Sequence, residues 1–167
     1  IFRAYKNENV IISGCSKAGP WKQDKGDIYY AKIKMDLEHE NQVFADGQMM
    51  WEARWPSIKG RDPKFLLEFP KASMDKGTTK TRIIDDQLPE KDWTGASVWA
   101  ASHKRWYCWT NRITGHGKGF VTLKDNTDKR GNHVCKEGGH YYLFGVKAAL
   151  DSENEWYYDK NSQKLYV

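Results

Sequence analysis

The sequence predicts an all-β fold, either a sandwich or a barrel, built from many short antiparallel strands with at most one short helix. Short apolar or alternating runs recur along the chain, and clusters of turn-forming residues separate them. One stretch, residues 145–152, has helical composition and is long enough for two turns at most. The length of 167 residues fits a single domain, residues 1–167.

Each predicted strand is a short run bounded by polar, Gly or Pro residues, and most are rich in β-branched or aromatic side chains. In chain order, the predicted strands are residues 1–5, 10–13, 28–33, 42–45, 48–55, 81–84, 96–101, 105–113, 120–123, 141–144, 155–159 and 164–167. For residues 141–144 the alternative is the start of a helical turn. The glycine-rich GHGKG, residues 115–119, predicts a flexible turn between strands. It does not predict a phosphate-binding loop, because no helix follows it.

The stretch VFADGQMMW predicts a β-hairpin. Asp46 and Gly47 form a two-residue link between residues 42–45 and 48–55. A primed turn needs positive φ at both central positions, which Asp tolerates and Gly adopts freely.

Aromatic residues make up 14% of the chain and include eight tryptophans, although the mean hydropathy is −0.84. A core alone rarely needs so many in so polar a chain, so the excess fits either packing between sheets or exposed platforms for a ligand. The aromatic residues concentrate in the predicted hairpin SVWAASHKRWYCWTNRI. Strand alternation predicts that Trp106 and Cys108 share one face and that Tyr107 and Trp109 share the other.

Sugars present flat C–H faces and rims of hydroxyls, which suit aromatic platforms flanked by polar donors. The alternative is a strand buried on both faces. Trp93, in DWTGA, is expected in the core. The predicted glycan-binding residues on this hairpin are Trp106, Trp109, Tyr107 and Trp99, assisted by Arg112 and Arg105.

The net charge of +5 is mild, and the 27 basic residues are scattered among 22 acidic ones. No basic block marks a nucleic-acid partner, and no run of about 18 apolar residues marks a membrane span. An acidic glycan would be bound by arginine, which makes bidentate contacts to carboxylates. Arg112 is the first candidate, followed by Arg105 and Arg54.

A second hypothesis makes the chain itself an enzyme that cleaves a glycan. Such chemistry needs two carboxyl groups facing each other across a bond. Asp85 and Asp86 are adjacent and would point to opposite faces of a strand. Distant carboxylates such as Glu52, Asp85 and Asp92 are therefore the candidates, and no catalytic pair is assigned.

The sequence contains few signals for metal sites or disulfides. The three cysteines are widely spaced without a CxxC pair, and the five histidines are spread along the chain, so no zinc site is predicted. Calcium could bind the acidic turns, particularly residues 125–128. Either one disulfide, such as Cys108 with Cys135, or three free buried thiols is compatible with the sequence.

Three stretches together, VFADGQMMWEARWP, DWTGASVW and EWYYDKNSQKLYV, resemble segments of bacterial right-handed parallel β-helix proteins that act on polysaccharides. These include glycoside hydrolases and lyases in which a β-domain is inserted between early coils of the helix. The resemblance implies that residues 1–14 and 155–167 flank the inserted domain as strands of the β-helix.

The resemblance also implies a function. The cleaving carboxylates of such proteins generally lie on the β-helix, so this chain would be a secreted bacterial carbohydrate-binding module beside a catalytic β-helix domain. Arg54 and Trp55 would lie at a domain edge, where they either pack against the neighbouring domain or line a sugar site. A third reading is purely structural: the domain braces the β-helix and binds nothing.

Overall fold

The computed structural model describes residues 5, 6, 8, 10, 11, 13–37, 40–58, 69–102, 106–124 and 133–167. Most of its regular structure is strand, and a three-residue 3-10 helix spans Lys147–Ala149. The predicted all-β fold is confirmed. Within the described ranges, no helix is long and apolar enough to cross a membrane. The strands are β1 Lys22–Lys25, β2 Ile28–Lys32, β3 Phe44–Ala45, β4 Gln48–Met49, β5 Trp51–Glu52, β6 Arg54–Trp55, β7 Ala72–Ser73, β8 Arg82–Ile84, β9 Ser97–Ala101, β10 Cys108–Gly117, β11 Phe120–Leu123, β12 His140–Phe144, β13 Glu155–Asp159 and β14 Lys164–Tyr166.

Two larger sheets and one small hairpin contain these strands. The first sheet has the order β1-β2-β14-β13-β5, and the second has the order β6-β12-β9-β10-β11-β8 with β7 beside β12. All pairs are antiparallel except β5 with β13, which run parallel. The small hairpin is β3 with β4.

The main core lies between the two larger sheets, as in a β-sandwich. Val98, Tyr141 and Leu143 on the second sheet are fully buried and share a cluster with Tyr166 of the first. Trp93 is also fully buried, which confirms the expectation that it belongs to the core. Its indole N–H donates to the carbonyl of Pro89 at 3.0 Å, so the polar atom of this buried side chain is satisfied.

Residues 51–55 carry the chain from one sheet to the other. β5 pairs with β13 of the first sheet, and β6 pairs with β12 of the second. Ala53 between them is fully buried, and its N–H donates to the carbonyl of Trp156 at 2.7 Å. A small residue is suited to this position because the two sheets approach closely there.

The predicted Asp-Gly hairpin is confirmed. Asp46 and Gly47 have φ of 53° and 75°, as a primed turn requires. The paired strands are shorter than predicted, since β4 ends at Met49 and the chain then enters β5 and β6.

The second predicted hairpin is also present, as β9 paired with β10, but its second strand begins at Cys108 and not at residue 105. Trp106 and Tyr107 therefore precede the strand. The predicted turn at residues 115–119 is shorter, because residues 115–117 belong to β10 and Lys118-Gly119 makes the turn to β11.

Other differences are local. The predicted helix is reduced to the 3-10 turn Lys147–Ala149. Residues 10, 11 and 13 are not in a strand, and most of the predicted strand 1–5 lies outside the described residues. β1 and β7 were not predicted, because KQDK and AS lack the apolar pattern of a strand.

Candidate functional site

The aromatic hairpin exposes different side chains on its two faces. Residues directly opposite each other share a face, and Trp109 lies opposite Ala100, which lies opposite the buried Tyr141. Trp109 is accordingly half-buried against the main core. Trp99 lies on the other face, opposite Tyr142, and the two rings stack with centroids 5.2 Å apart and planes 16° apart. Trp99 and Trp109 do not share one platform.

Trp106, Tyr107 and His133 form an exposed cluster at the end of this hairpin, which we call the aromatic end patch. Trp106 is 70% exposed and Tyr107 is 42% exposed. The ring of His133 packs edge-on to Trp106 at 5.1 Å and lies 4.1 Å from Tyr107, between centroids. The indole N–H of Trp109 donates to the carbonyl of His133 at 2.7 Å. Trp109 thus holds the patch from beneath.

Arg54 is buried on the outer face of the second sheet. Its guanidinium lies 3.6 Å from the ring centroid of Tyr142, so Trp99, Tyr142 and Arg54 form one stack. It donates from Nε to the carbonyl of Pro56 at 3.0 Å and from Nη2 to the carbonyl of Pro70. Burial lowers the pKa of Arg54 to about 10, and it remains a cation at neutral pH. These contacts tie two loops to the sheet.

The remaining predicted binding residues lie apart from the end patch. Trp55 packs in the core against Trp93 and Tyr141, with ring centroids 6.4 and 5.9 Å away. Arg112 is exposed and donates to the carbonyl of Gly95 at 2.9 Å. It lies four residues along β10 from Cys108, a separation of about 13 Å at the rise of a strand. Arg105 lies outside the described residues.

A cleft of about 740 Å³ lies where the edge of β13 meets the second sheet, and we call it the inter-sheet cleft. β5 pairs with β13 only at Glu155 and Trp156, so the rest of that edge faces the cleft. Its size falls in the range of small-molecule sites, about 300–1,000 Å³. Trp156, Tyr157 and Tyr158 supply its aromatic lining.

Glu52 is the half-buried carboxylate of this cleft. Burial raises its pKa to about 7. Asp159 also lines the cleft, but the hydroxyl of Ser162 donates to it at 2.6 Å and the N–H of Asn161 at 2.9 Å. These hydrogen bonds lower the pKa of Asp159. One cleft therefore holds a carboxyl group that titrates near neutrality and a carboxylate that stays ionised.

Of the three carboxylates proposed for hydrolysis, only Glu52 lines the cleft. Asp92 is exposed and pairs with His116 at 3.0 Å, and it accepts the N–H of Thr94 at 2.9 Å. Asp85 is buried and accepts the hydroxyl of Tyr141 at 2.8 Å. These different positions give the three residues no shared site.

Asp75, Asp85 and Asp86 are the group in the described ranges that could hold a cation, with one oxygen from each lying within 4.8 Å of the others. Two of these residues already accept hydrogen bonds from nearby backbone N–H groups. Asp85 accepts the N–H of Gln87 at 2.8 Å, and Asp75 accepts the N–H of Asp86 at 2.9 Å. The carboxylates thus stabilise the turn at residues 85–87 by accepting its backbone N–H groups. Residues 125–128, the predicted calcium turn, lie outside the described residues.

The three cysteines are free thiols. Cys15 and Cys108 are exposed, whereas Cys135 is buried and 1% exposed. The thiols are therefore unpaired, as in one of the two alternatives, but the expectation that all three are buried is wrong for Cys15 and Cys108.

No protein-family model matches the chain, and no curated protein matches it. A solved structure described as a glycoside hydrolase is similar in fold, with a TM-score of 0.59 and 16% sequence identity. The similarity covers 90% of this chain and 27% of that chain, so this chain spans about a quarter of the length of the glycoside hydrolase. The chain therefore has the fold of part of a glycoside hydrolase.

The aromatic members of the cleft were predicted only as strand residues. Trp156 and Tyr158 occur in EWYYD, an aromatic run bracketed by two carboxyl residues. An aromatic run between carboxyl residues is typical of ligand sites, so this composition was the one sequence signal that could have indicated the cleft. Their proximity to Glu52 depends on the parallel pairing of β5 with β13, which no local pattern indicates.

Proposed function

We propose that this chain is a carbohydrate-binding domain that serves a secreted bacterial polysaccharide-degrading protein, and that it holds glycan on the aromatic end patch. The observation that carries the proposal is the exposure of Trp106 beside Tyr107. Burying a large apolar side chain is worth roughly 1.5–3 kcal/mol, so an exposed tryptophan forgoes that gain in the free domain. A flat sugar face would recover it.

The construction of the patch supports the same proposal. His133 contacts both exposed rings, and Trp109 fixes His133 through its carbonyl. A platform held in this way loses little side-chain entropy when a ligand stacks on it. Trp106 is the stacking residue. Tyr107 flanks it, with the ring centroids 6.1 Å apart and the ring planes at 71°. Trp109 is a positioning residue.

The fold similarity supports a role beside a catalytic part. The similar solved protein is described as a glycoside hydrolase, and this chain corresponds to about a quarter of it. A domain of that proportion is suited to holding substrate while another part cleaves it. The partners of this chain are then a polysaccharide and a catalytic domain, such as the β-helix that the sequence resemblance implies.

The test is binding to a defined panel of glycans. Calorimetry and affinity electrophoresis would use cellohexaose, xylohexaose and mannohexaose, with polygalacturonate as the acidic member. We expect Trp106→Ala to weaken binding about tenfold or more, as loss of a central aromatic contact does. Trp21→Ala is the matched control, because Trp21 is 41% exposed at another edge of the molecule. Equal affinity of wild type and Trp106→Ala for every bound glycan would contradict the proposal.

A further inference from the structure

Glu52 has a carboxylate without a partner in the described part of the chain. No hydrogen bond or ion pair of its side chain occurs among the described residues, although it is half-buried. Buried or half-buried charged groups are ordinarily paired, because an unpaired one has lost water without compensation. Glu52 also lines a smaller pocket of about 210 Å³ beside the inter-sheet cleft.

Gly145 and Ser97, at neighbouring strands of the second sheet, lie beside this carboxylate. A Cβ at Gly145 would lie 3.9 Å from Oε1 of Glu52 and 3.9 Å from Oγ of Ser97. Gly145 has φ of 78°, a conformation that other residues rarely adopt. The Glu52 carboxylate and the Ser97 hydroxyl therefore both lie next to Gly145, and all three residues line the cleft.

The charges around the cleft balance. Three acidic side chains and three basic ones line it, so the formal charge of the lining is zero when all are ionised. These residues are Asp36, Glu52, Asp159, Lys34, Arg112 and Lys160. Such a lining has no net preference for an anion or a cation. It offers both acceptors and donors, and sugar hydroxyl groups can use both.

One aromatic hydroxyl of the cleft lining keeps a proton that it can donate. Tyr158 accepts the N–H of Met35 at 3.1 Å, so its phenol oxygen serves as an acceptor there and its proton is not used in that contact. Tyr158 and Trp156 lie on the same face of β13, beside Glu52. Aromatic side chains together with hydrogen-bonding groups are the composition of a sugar pocket.

We propose that the inter-sheet cleft is a binding site for a neutral, hydroxyl-rich ligand of the size of a disaccharide, with Glu52 as the acceptor for its hydroxyl groups. The site is separate from the aromatic end patch and does not depend on it. In a polysaccharide-binding domain, it would hold a chain end or a released product while the patch holds the chain.

The experiment maps binding on the intact chain by NMR, with the backbone and indole N–H groups labelled with ¹⁵N. Cellobiose, xylobiose and mannobiose are titrated at pH 8, and digalacturonate is the charged comparison. We expect at least one neutral disaccharide to shift the N–H signals of Gly95, Ser97 and Gly145 and the indole N–H of Trp156, with saturation. Digalacturonate should bind more weakly than its neutral counterparts, because the ionised Glu52 would repel its carboxylates and the lining has no net positive charge to compensate.

Variants separate this site from the patch. Glu52→Gln keeps the shape and should weaken the neutral disaccharide about tenfold at pH 8, where Glu52 is ionised, because a bond to a charged acceptor is lost. Glu153→Gln is the control, since Glu153 is exposed. Trp106→Ala should leave the shifts in the cleft unchanged.

If Trp106→Ala removes glycan binding and no disaccharide shifts the cleft signals, the cleft proposal fails and the patch proposal stands. If a disaccharide shifts the cleft signals but Trp106→Ala does not change the binding of any glycan, the cleft proposal stands and the patch proposal fails. Cleft shifts that Glu52→Gln leaves equally strong overturn the role of Glu52.

Discussion

Glu155 provides a sharp test of the electrostatics of this fold. It is 1% exposed, and its Oε2 accepts the N–H groups of Asp151 and Ser152, each at 3.3 Å. Burial nevertheless raises its pKa from 4.5 to about 7. The folded chain therefore holds a proton on Glu155 at pH values where the unfolded chain has released it. This stabilisation is fully present below pH 4.5 and is lost as the pH rises through about 7.

The size of the effect follows from the shift. A difference between 4.5 and about 7 corresponds to about 3 kcal/mol between acid and alkaline pH. Glu155→Gln removes the cost of ionising a buried carboxyl group at alkaline pH, since an amide does not ionise. The amide also places an extra N–H donor in a buried position, which costs about 1 kcal/mol. We expect the variant to be less stable than wild type by about 1 kcal/mol at pH 4.5 and more stable by about 2 kcal/mol at pH 8.

Urea unfolding at pH 4.5, 6 and 8, followed by tryptophan fluorescence, measures these differences. Glu52 titrates in the same range but is present in both chains, so its contribution cancels. For the control Glu153→Gln at an exposed position, the difference in free energy of unfolding from wild type should be the same at all three pH values. The reasoning is refuted if the difference between Glu155→Gln and wild type is the same at all three pH values, or if the variant is the less stable protein at pH 8.

Three further outcomes are expected. Burial raises the pKa of the Cys135 thiol to about 12, so iodoacetamide should label two cysteines in the native chain and three in urea, as counted by mass spectrometry. Three rapid labels in the native chain would contradict this. Trp93→Leu should lower the free energy of unfolding by about 3 kcal/mol, measured in urea, because a fully buried ring and its hydrogen bond are lost. Trp109→Phe should keep the fold but release His133, so that glycan affinity falls while the urea midpoint moves little. Unchanged affinity would show that Trp109 does not position the patch.

The parts of the fold that the sequence predicted are those set by local chemistry. The Asp46-Gly47 turn was identifiable because positive φ at two successive residues strongly restricts the choice of residue. Strands with strong β-branched or aromatic content, such as β2 and β13, were likewise recognisable. β1 was missed because its four residues are all polar and exposed, and it is held as an edge strand by backbone bonds to β2.

The functional surfaces were less predictable because exposure depends on non-local packing. Alternation in the aromatic hairpin correctly separated Trp109 from its neighbours in β10, yet it extended the strand through Trp106, which precedes β10. The stack of Trp99 on Tyr142 requires β9 to pair with β12, and these strands are about forty residues apart in sequence. Local patterns contain no information on that pairing.

The ARWP segment shows how one short stretch serves several purposes. Side chains alternate along residues 51–55, but the chain also changes sheets at Ala53, so its neighbours enter different surroundings. Trp55 goes to the core, Arg54 to the outer stack and Glu52 to the inter-sheet cleft. The crossing also explains the cleft itself. Because β5 leaves the first sheet after two residues, no strand of the described ranges lies beside the edge of β13 beyond Trp156. Glu52, which the crossing places there, faces the space that opens. A longer β5 would have continued that sheet and closed the site.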